Sequence, residues 1–550
     1  MNKSAIIASA VFCAGMLCSI ERRYLAFLLI AALAALVVVR FMAGRVSLSF
    51  IHIPLAVLPI SYLIAMIASG GITYYSIGQT ILMCVPLLVS LSFANVRNVI
   101  PVVLIGVGFL GIVSLLGPII AFIPNSFTPA GFNSDPRLRL QTLLNYANTG
   151  AMFFGCAIIA LFDIHAGKSK IIKSFSILLL SALLLLTRSR LAIIITLALL
   201  VAYALLQRGA KKTLIIVFSI SVTIVIAIIL TKPDLILDSS LAMRMIYWAD
   251  ALKAFAKSPG FGLGPEGFVF QLHELQSAKY AVTLVHSSFL QVAVDAGAIA
   301  VISLLTISYI SLRRAWKESK HVFLVMLLLL LHSAVDIDLS FFPTLMLLGL
   351  CCSHSATPTL LKKKKLIISA AIIPILLISV VLMIGEHTLS NGVKYDRSGK
   401  LEEAEMSYQS SLLWMPGDFR SSIRLSGVYI LQHKQEKAIE FLKTTDYENF
   451  NKASRSELLV IAYKNLGIYT EWDIETQLLL EYAPLKESSY TERSEYLVAA
   501  YYSLLLTNDE YLAEYAALQK KLDDANSSLN HYVRFLLEKD RTLTPRLLTR

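Results

Sequence analysis

Residues Arg244–Gly297 read RMIYWADALKAFAKSPGFGLGPEGFVFQLHELQSAKYAVTLVHSSFLQVAVDAG. The stretch is largely polar as far as His286. It carries Arg244, Trp248 and a glycine-rich run from Gly260 to Pro265. After His286 comes an N-cap signal, Ser287-Ser288, and then an apolar helix pattern. Long apolar segments lie on both sides. This layout predicts a membrane protein whose chemistry is done in one large polar loop at the membrane edge.

Composition supports the membrane reading. Of 550 residues, 56% are hydrophobic, and the mean hydropathy is +0.67. A soluble domain is about half apolar at most. Up to residue 386, apolar runs of about 18 residues or more recur, each long enough to cross a bilayer as a helix. The expected spans are roughly 4–20, 24–42, 50–69, 76–94, 99–122, 148–164, 170–187, 191–207, 213–231, 288–310, 321–335, 341–355 and 366–386. The N-terminal run resembles a signal peptide but has no small-x-small cleavage site, so it reads as a retained first helix.

The net charge of +12 does not indicate nucleic acid. The basic residues sit in short loops between apolar runs, where they set orientation. Arg40/Arg45, Arg97, Lys168/Lys170/Lys173, Arg208/Lys211/Lys212, Arg313/Arg314/Lys317/Lys320 and Lys362 to Lys365 fall in alternate loops. The positive-inside rule puts these loops and the N-terminus in the cytoplasm. The 123–147 loop, the 188–190 turn, the 232–287 loop and the tail after 386 are then outside. Arg22/Arg23, Arg137/Arg139, Arg188/Arg190 and Arg244 oppose that bias and call for a reason. For Arg22 and Arg23 the plain reason is snorkelling to headgroups. The six cysteines lie in or beside apolar runs, with no zinc spacing and no disulfide framework.

Composition changes at His387, where a polar, helix-patterned tail begins. Lys400–Tyr408 aligns with Lys434–Leu442 at an offset of 34 residues, with Ala404 matching Ala438. Pro416 is expected to end the first unit. The pattern resembles tetratricopeptide repeats, whose stacked helix pairs form a concave surface for a protein partner. The expected domains are a membrane core, 1–386, with its large outer loop 232–287, and a helical repeat domain, 387–550. The predicted fold class is all-α: a polytopic transmembrane bundle plus an extracytoplasmic α-helical repeat domain.

The outer-side polar groups include Arg137, Arg139, Gln141, Tyr146, Asn148, Arg188, Ser189, Arg190, Arg244, His286, Asp295, His332, Asp336 and Asp338. No carboxylate or cysteine cluster has metal spacing, so neither metal nor other cofactor is expected. Guanidinium forks pair bidentately with phosphate oxygens and stay charged. A histidine can take a proton from an attacking hydroxyl or amine. Together they suit a phosphorylated substrate with a diphosphate leaving group. Asp295 lies about two turns into an apolar helix, where a carboxylate is expensive. It either pairs with an arginine or takes part in the chemistry. Asp336 follows His332 by four residues, so the two would share a helix face and read as structural. The glycine run lacks the strand before it and the lysine-serine after it of a nucleotide loop. A tight turn beside the substrate is the better reading.

At these residues the chain resembles the O-antigen ligase family of polytopic membrane glycosyltransferases. The resemblance covers most of 130–350. It is carried by Arg139-Leu140-Gln141 with Tyr146-Ala147-Asn148, by Ser189-Arg190-Leu191-Ala192, by Arg244 through Trp248 to Pro259–Gly264, and by His286 to Gly297. Ser287 and Asp295 depart from the asparagine and glutamate usual there. The resemblance implies that Arg190 and Arg244 hold the donor's diphosphate and His286 activates the acceptor, with Arg139, Arg188 and Asp295 also lining the site. It further implies a bacterial cytoplasmic-membrane enzyme with a polyprenyl diphosphate-linked saccharide donor. The acceptor would be a lipid, glycan or protein. The family also contains polysaccharide polymerases, which these motifs do not separate. A lipid-linked saccharide flippase would show inverted repeats, and none is visible. A non-catalytic assembly protein working through its tail is the third alternative.

Overall fold

A computed structural model describes residues 3–43, 48–93, 99–116, 127–129, 138–162, 170–207, 239–278, 280, 282, 284–354, 365–444, 452–484 and 486–527. Each expected span within those residues is a helix. The N-terminal half supplies Lys3–Gly15, Arg23–Met42, His52–Ala68, Tyr74–Leu82 with Val85–Ser92, Ile100–Leu116, Ala147–Leu161, Lys170–Leu186 and Arg190–Gln207. Ser288–Glu318, Lys320–Ser333, Phe342–His354 and Lys365–Arg397 complete the bundle. The expected 213–231 span, Arg137 and the Lys362 to Lys364 cluster lie outside the described residues. The helix restarts at Val85 because Pro86 stands in its first turn, where the missing N–H costs nothing.

Among the described residues, four segments are long and apolar enough to cross a membrane: Arg23–Met42, Tyr74–Ser92, Ser288–Lys317 and Ala370–Arg397. Shorter apolar helices pack around them. Large aliphatic side chains face outward: Ile171, Leu178, Ile194 and Ile302 are 85%, 69%, 64% and 62% exposed. Water would not tolerate such faces on this scale, whereas lipid does. Inside, one cluster joins Phe12, Phe27, Phe153, Phe154, Leu328 and Leu345. Phe12 meets Phe153 edge-on at 5.9 Å. The protein is an integral membrane helical bundle.

The polar loop is more structured than its composition suggests. Ser239–Lys257 is a helix of 19 residues, followed by the short helices Gly267–Phe270 and Leu272–Leu275. Residues 239–257 contain neither glycine nor proline, and Pro259-Gly260 stop the helix soon after. Its buried side, Ala251 and Ala254, packs on Phe268, Leu272, Val285 and Val294. Buried Asp250 accepts from Ser277 N (2.8 Å), Ser277 Oγ (3.1 Å) and Tyr280 Oη (2.9 Å), which pins the following segment to the helix.

The tail is a row of helices: Leu401–Trp414, Phe419–Leu431, Gln435–Thr444, Lys452–Leu466, Tyr469–Tyr482, Glu487–Tyr502 and Asn508–Ser527. Each packs on the next. Ala404 and Ala438 are both fully buried in one cluster with Tyr408 and Leu425. Pro416 does not end the first unit as expected. It stands between the two helices of the first pair, where its fixed φ suits the turn. The last membrane helix runs on to Arg397, so the change in composition at His387 falls within a helix.

Candidate functional site

Four connections meet at one end of the bundle: 138–149, 187–190, the helix and loop 239–287, and 334–341. Asp336, in the last, is the partner of the first and third, and 187–190 joins them through Arg139. Asp336 follows the Lys320–Ser333 helix, in a bend, with its side chain 1% exposed. Tyr146 Oη donates to Asp336 Oδ1 at 2.5 Å, and Ile337 N to the same oxygen at 2.9 Å. Asn148 Nδ2 donates to Oδ2 at 2.7 Å, and Arg244 Nη2 at 3.1 Å. Arg244 Nη1 also donates to the Val335 carbonyl at 2.7 Å, so its fork reads a backbone and a side-chain acceptor together. Burial alone would raise the Asp336 carboxyl. His286, the Arg244 guanidinium, His332 and the Tyr146 hydroxyl outweigh it and hold the group well below the usual carboxylate range.

The sequence reading of His332 and Asp336 as one helix face does not hold. The helix ends at Ser333, and His332 Nδ1 instead meets Asp338 Oδ2 at 2.6 Å. Asp338 Oδ1 accepts from Thr149 at 2.7 Å. Two carboxylates two residues apart thus serve different histidines.

His286 is held on every side. Its backbone has φ +55, which a non-glycine residue adopts only when its surroundings impose it. Trp248 Nε1 donates to the His286 carbonyl at 3.1 Å, and the Tyr247 ring stacks on the imidazole with centroids 5.8 Å apart. Ser287 caps the following helix through Leu290 N at 3.4 Å, as its sequence position predicts. Nδ1 lies 3.4 Å from Tyr146 Oη and 3.8 Å from Asp336 Oδ1. The tyrosine has a single hydroxyl proton, which the short contact gives to Asp336. Its oxygen must therefore accept from His286 Nδ1–H. In the neutral imidazole this tautomer leaves the lone pair on Nε2, at the far edge of a ring whose side chain is 24% exposed.

Arg139 approaches from the other side. Its Nη2 donates to Asn148 Oδ1 at 2.6 Å and its Nε to the Thr187 carbonyl at 2.7 Å. Burial, with Arg244 and Arg188 nearby, lowers its pKa. Arg188 is exposed at φ +53, and Arg190 is exposed at the first position of its helix. Of the residues singled out from sequence, Arg139, Arg188, Arg244 and His286 therefore converge. Asp295 does not join them. Its partners are Gln291 Nε2 at 2.9 Å and Tyr62 Oη at 3.5 Å, neutral groups and not the arginine that one of its two expected roles requires.

The glycine run packs on a break in the Ser288–Glu318 helix. Gly297 has φ +74, and a Cβ there would meet the Gly260 carbonyl oxygen at 2.2 Å. Leu263 N donates to the Val294 carbonyl at 2.7 Å, and Ala298 N to the Pro259 carbonyl at 2.9 Å. The run thus joins the loop to the helix carrying Asp295, backbone against backbone.

The O-antigen ligase family model matches residues 175–305. This segment is thus similar to an O-antigen ligase domain. The match takes in Arg188, Arg190, Arg244, His286, Asp295 and Gly297. Arg139, Tyr146, Asn148 and Asp336 lie outside it and complete the cluster from flanking segments. The match supports a membrane glycosyltransferase of the O-antigen ligase or polymerase type. Among curated proteins, none matches. Among the described residues no group of three or more histidine, cysteine or acidic side chains is placed to hold a metal ion.

Proposed function

We propose that the protein transfers a saccharide from a polyprenyl diphosphate carrier to an envelope acceptor, a lipid, glycan or protein, on the outer face of the bacterial cytoplasmic membrane. The observation that carries this reading is the Asp336–Tyr146–His286 relay beside three converging arginines. Arg139 and Arg244 both lie beside Asp336, and Arg188 is within electrostatic reach of Arg139. A cluster of guanidinium groups suits a diphosphate, and exposed Arg190 is two residues from Arg188 in sequence. The acceptor's hydroxyl or amine attacks the anomeric carbon while the bond from that carbon to the diphosphate oxygen breaks. The acceptor's proton passes to His286 Nε2, and the charge developing on the leaving diphosphate stays with the arginines. Asp336 acts through Tyr146, fixing the tautomer and favouring the charged imidazole that forms.

In this reading residues 1–386 are the catalytic core, and 387–550 form an extracytoplasmic domain that serves the acceptor or a protein partner. Asp295 lies behind the glycine turn and supports the site's wall.

The test is transfer by purified protein in lipid nanodiscs, given polyprenyl diphosphate oligosaccharide and candidate acceptors. The expected result is a glycosylated acceptor with release of polyprenyl diphosphate. His286→Ala should cut this by at least about a hundredfold while lipid-linked donor still binds. Movement of the lipid-linked saccharide across vesicles with no covalent change would favour a flippase and end the proposal.

A further inference from the structure

A second buried cluster joins the tail to the core. Arg420, in the first turn of the Phe419–Leu431 helix, sends Nη1 to Glu386 Oε1 at 2.8 Å. Its Nε and Nη2 reach Asp418 Oδ1 at 3.1 and 3.0 Å. Glu386 lies on the last membrane helix with its side chain 7% exposed, and Arg23 Nη1 approaches the same oxygen at 3.8 Å. The Tyr75 ring lies between the two arginines, 3.9 Å from the Arg23 guanidinium carbon and 5.2 Å from that of Arg420. Arg23 therefore does not snorkel to headgroups. It is turned inward, 3.8 Å from the carboxylate that also holds Arg420 of the tail.

Two chain segments that reach the transfer site start at this cluster. The first is the 21–23 turn. Arg22 Nη2 donates to the Leu143 carbonyl at 2.6 Å, and Glu21 Oε2 accepts from Asn145 Nδ2 at 3.0 Å. The next residue is Tyr146, the middle of the relay. Glu21 also meets Arg397 and the Ser390 hydroxyl of the last membrane helix. The second segment is the loop after the glycine run. Glu266, at φ +75, accepts from Thr73 Oγ1 at 3.3 Å within electrostatic reach of Arg420 and Arg23. Phe270 meets Phe419 edge-on with centroids 6.4 Å apart.

We propose that Arg420 of the C-terminal domain is a positioning residue for the transfer site, holding the 21–23 turn and the 264–270 segment against one another. The domain is then part of the frame of the active site and more than a tethered accessory for acceptors. The inference rests on the proposed role of the Tyr146–His286 pair, and it needs no contact between the tail and substrate. A misplacement of about 1 Å in reacting groups costs on the order of a hundredfold in rate, so a frame this far from the chemistry can still govern it.

The experiment compares wild type, Arg420→Gln, and Arg420→Met with Glu386→Gln. The pair removes both charges of the 2.8 Å contact, while Asp418 keeps its bonds from Ser421 N and Oγ and Arg23 its place over the Tyr75 ring. Lys434→Ala with Lys437→Ala, which loses the pairs to Glu405 and the Lys437 contact over the Tyr429 ring, is the control for loosening of the domain itself. Hydrogen exchange in nanodiscs is measured with kcat and KM for transfer. Both Arg420 variants should exchange at least about tenfold faster in 141–146 and 264–270, with kcat down about tenfold or more, and the control should match wild type. Wild-type exchange in both segments of the Met/Gln pair overturns the proposal, and so does an unchanged kcat. If wild type itself transfers nothing, the functional reading fails, and exchange alone still decides whether Arg420 holds the two segments.

Discussion

Asp336→Asn tests the site at its centre. The substitution keeps shape and removes charge. Its amide oxygen can still serve Tyr146 and Ile337 N, but its amide nitrogen must face Asn148 Nδ2 and Arg244 Nη2, two donors at 2.7 and 3.1 Å from the present oxygen. Each stranded donor costs about 1–3 kcal/mol. Breaking a buried ion pair costs about 3–5 kcal/mol, and the two accounts overlap, so about 3–5 kcal/mol of stability should go. The relay also loses its charged acceptor. A hydrogen bond to a charged group contributes about 1.5–3 kcal/mol, which makes transfer roughly ten- to hundredfold slower if it is lost in the transition state. Thermal midpoints of purified protein and single-turnover transfer measure the two losses separately. Because the folded carboxyl titrates below its unfolded value of about 3.9, its stabilisation is present above that pH and fades as pH falls toward the folded value. The gap between wild-type and variant midpoints should therefore close in acid. Arg244→Gln added to Asp336→Asn should cost less than the two separate losses combined, since neither charge is left alone. An Asp336→Asn protein with the wild-type midpoint and single-turnover rate would refute the reasoning.

Tyr146→Phe should slow transfer about tenfold or more at saturating donor by removing the link that sets the His286 tautomer; unchanged kcat would remove Tyr146 from the relay. Arg244→Lys can serve the Val335 carbonyl or Asp336 but not both, so transfer should fall at least about tenfold; full activity would show that charge alone suffices. Gly297→Ala puts a Cβ onto the Gly260 carbonyl at positive φ, so it should lower the thermal midpoint and loosen the 258–264 turn by proteolysis; wild-type resistance would show that the break is not required. A reporter fused after residue 400 that works only in the cytoplasm should stay silent, and a signal would reverse the proposed orientation.

The membrane helices could be read from the sequence because burial in lipid needs only length and apolarity, which are local. So could His286 with its serine cap, and the arginines that defy the insertion bias. What stayed hidden depended on partners far apart in sequence. Asp336 sits in Ala334-Val335-Asp336-Ile337-Asp338, a stretch with no cation of its own. Its counter-charge comes from Arg244, 92 residues earlier, and its hydroxyl from Tyr146, 190 earlier. Helical spacing favoured His332 as its neighbour, and the end of the helix at Ser333 broke that inference. The signal that could have found it is electrostatic: a carboxylate between two apolar spans needs a positive partner, and the unexplained outer arginines were the natural supply. Arg23 teaches the same in reverse. Its sequence suits a headgroup anchor, yet the carboxylate beside it, Glu386, is on the last membrane helix, and the arginine sharing that carboxylate is in the tail. Charges that look misplaced in such a chain are best read as halves of long-range pairs. Arg244 and Arg23 are two such halves here, one at the proposed chemistry and one at the joint that frames it.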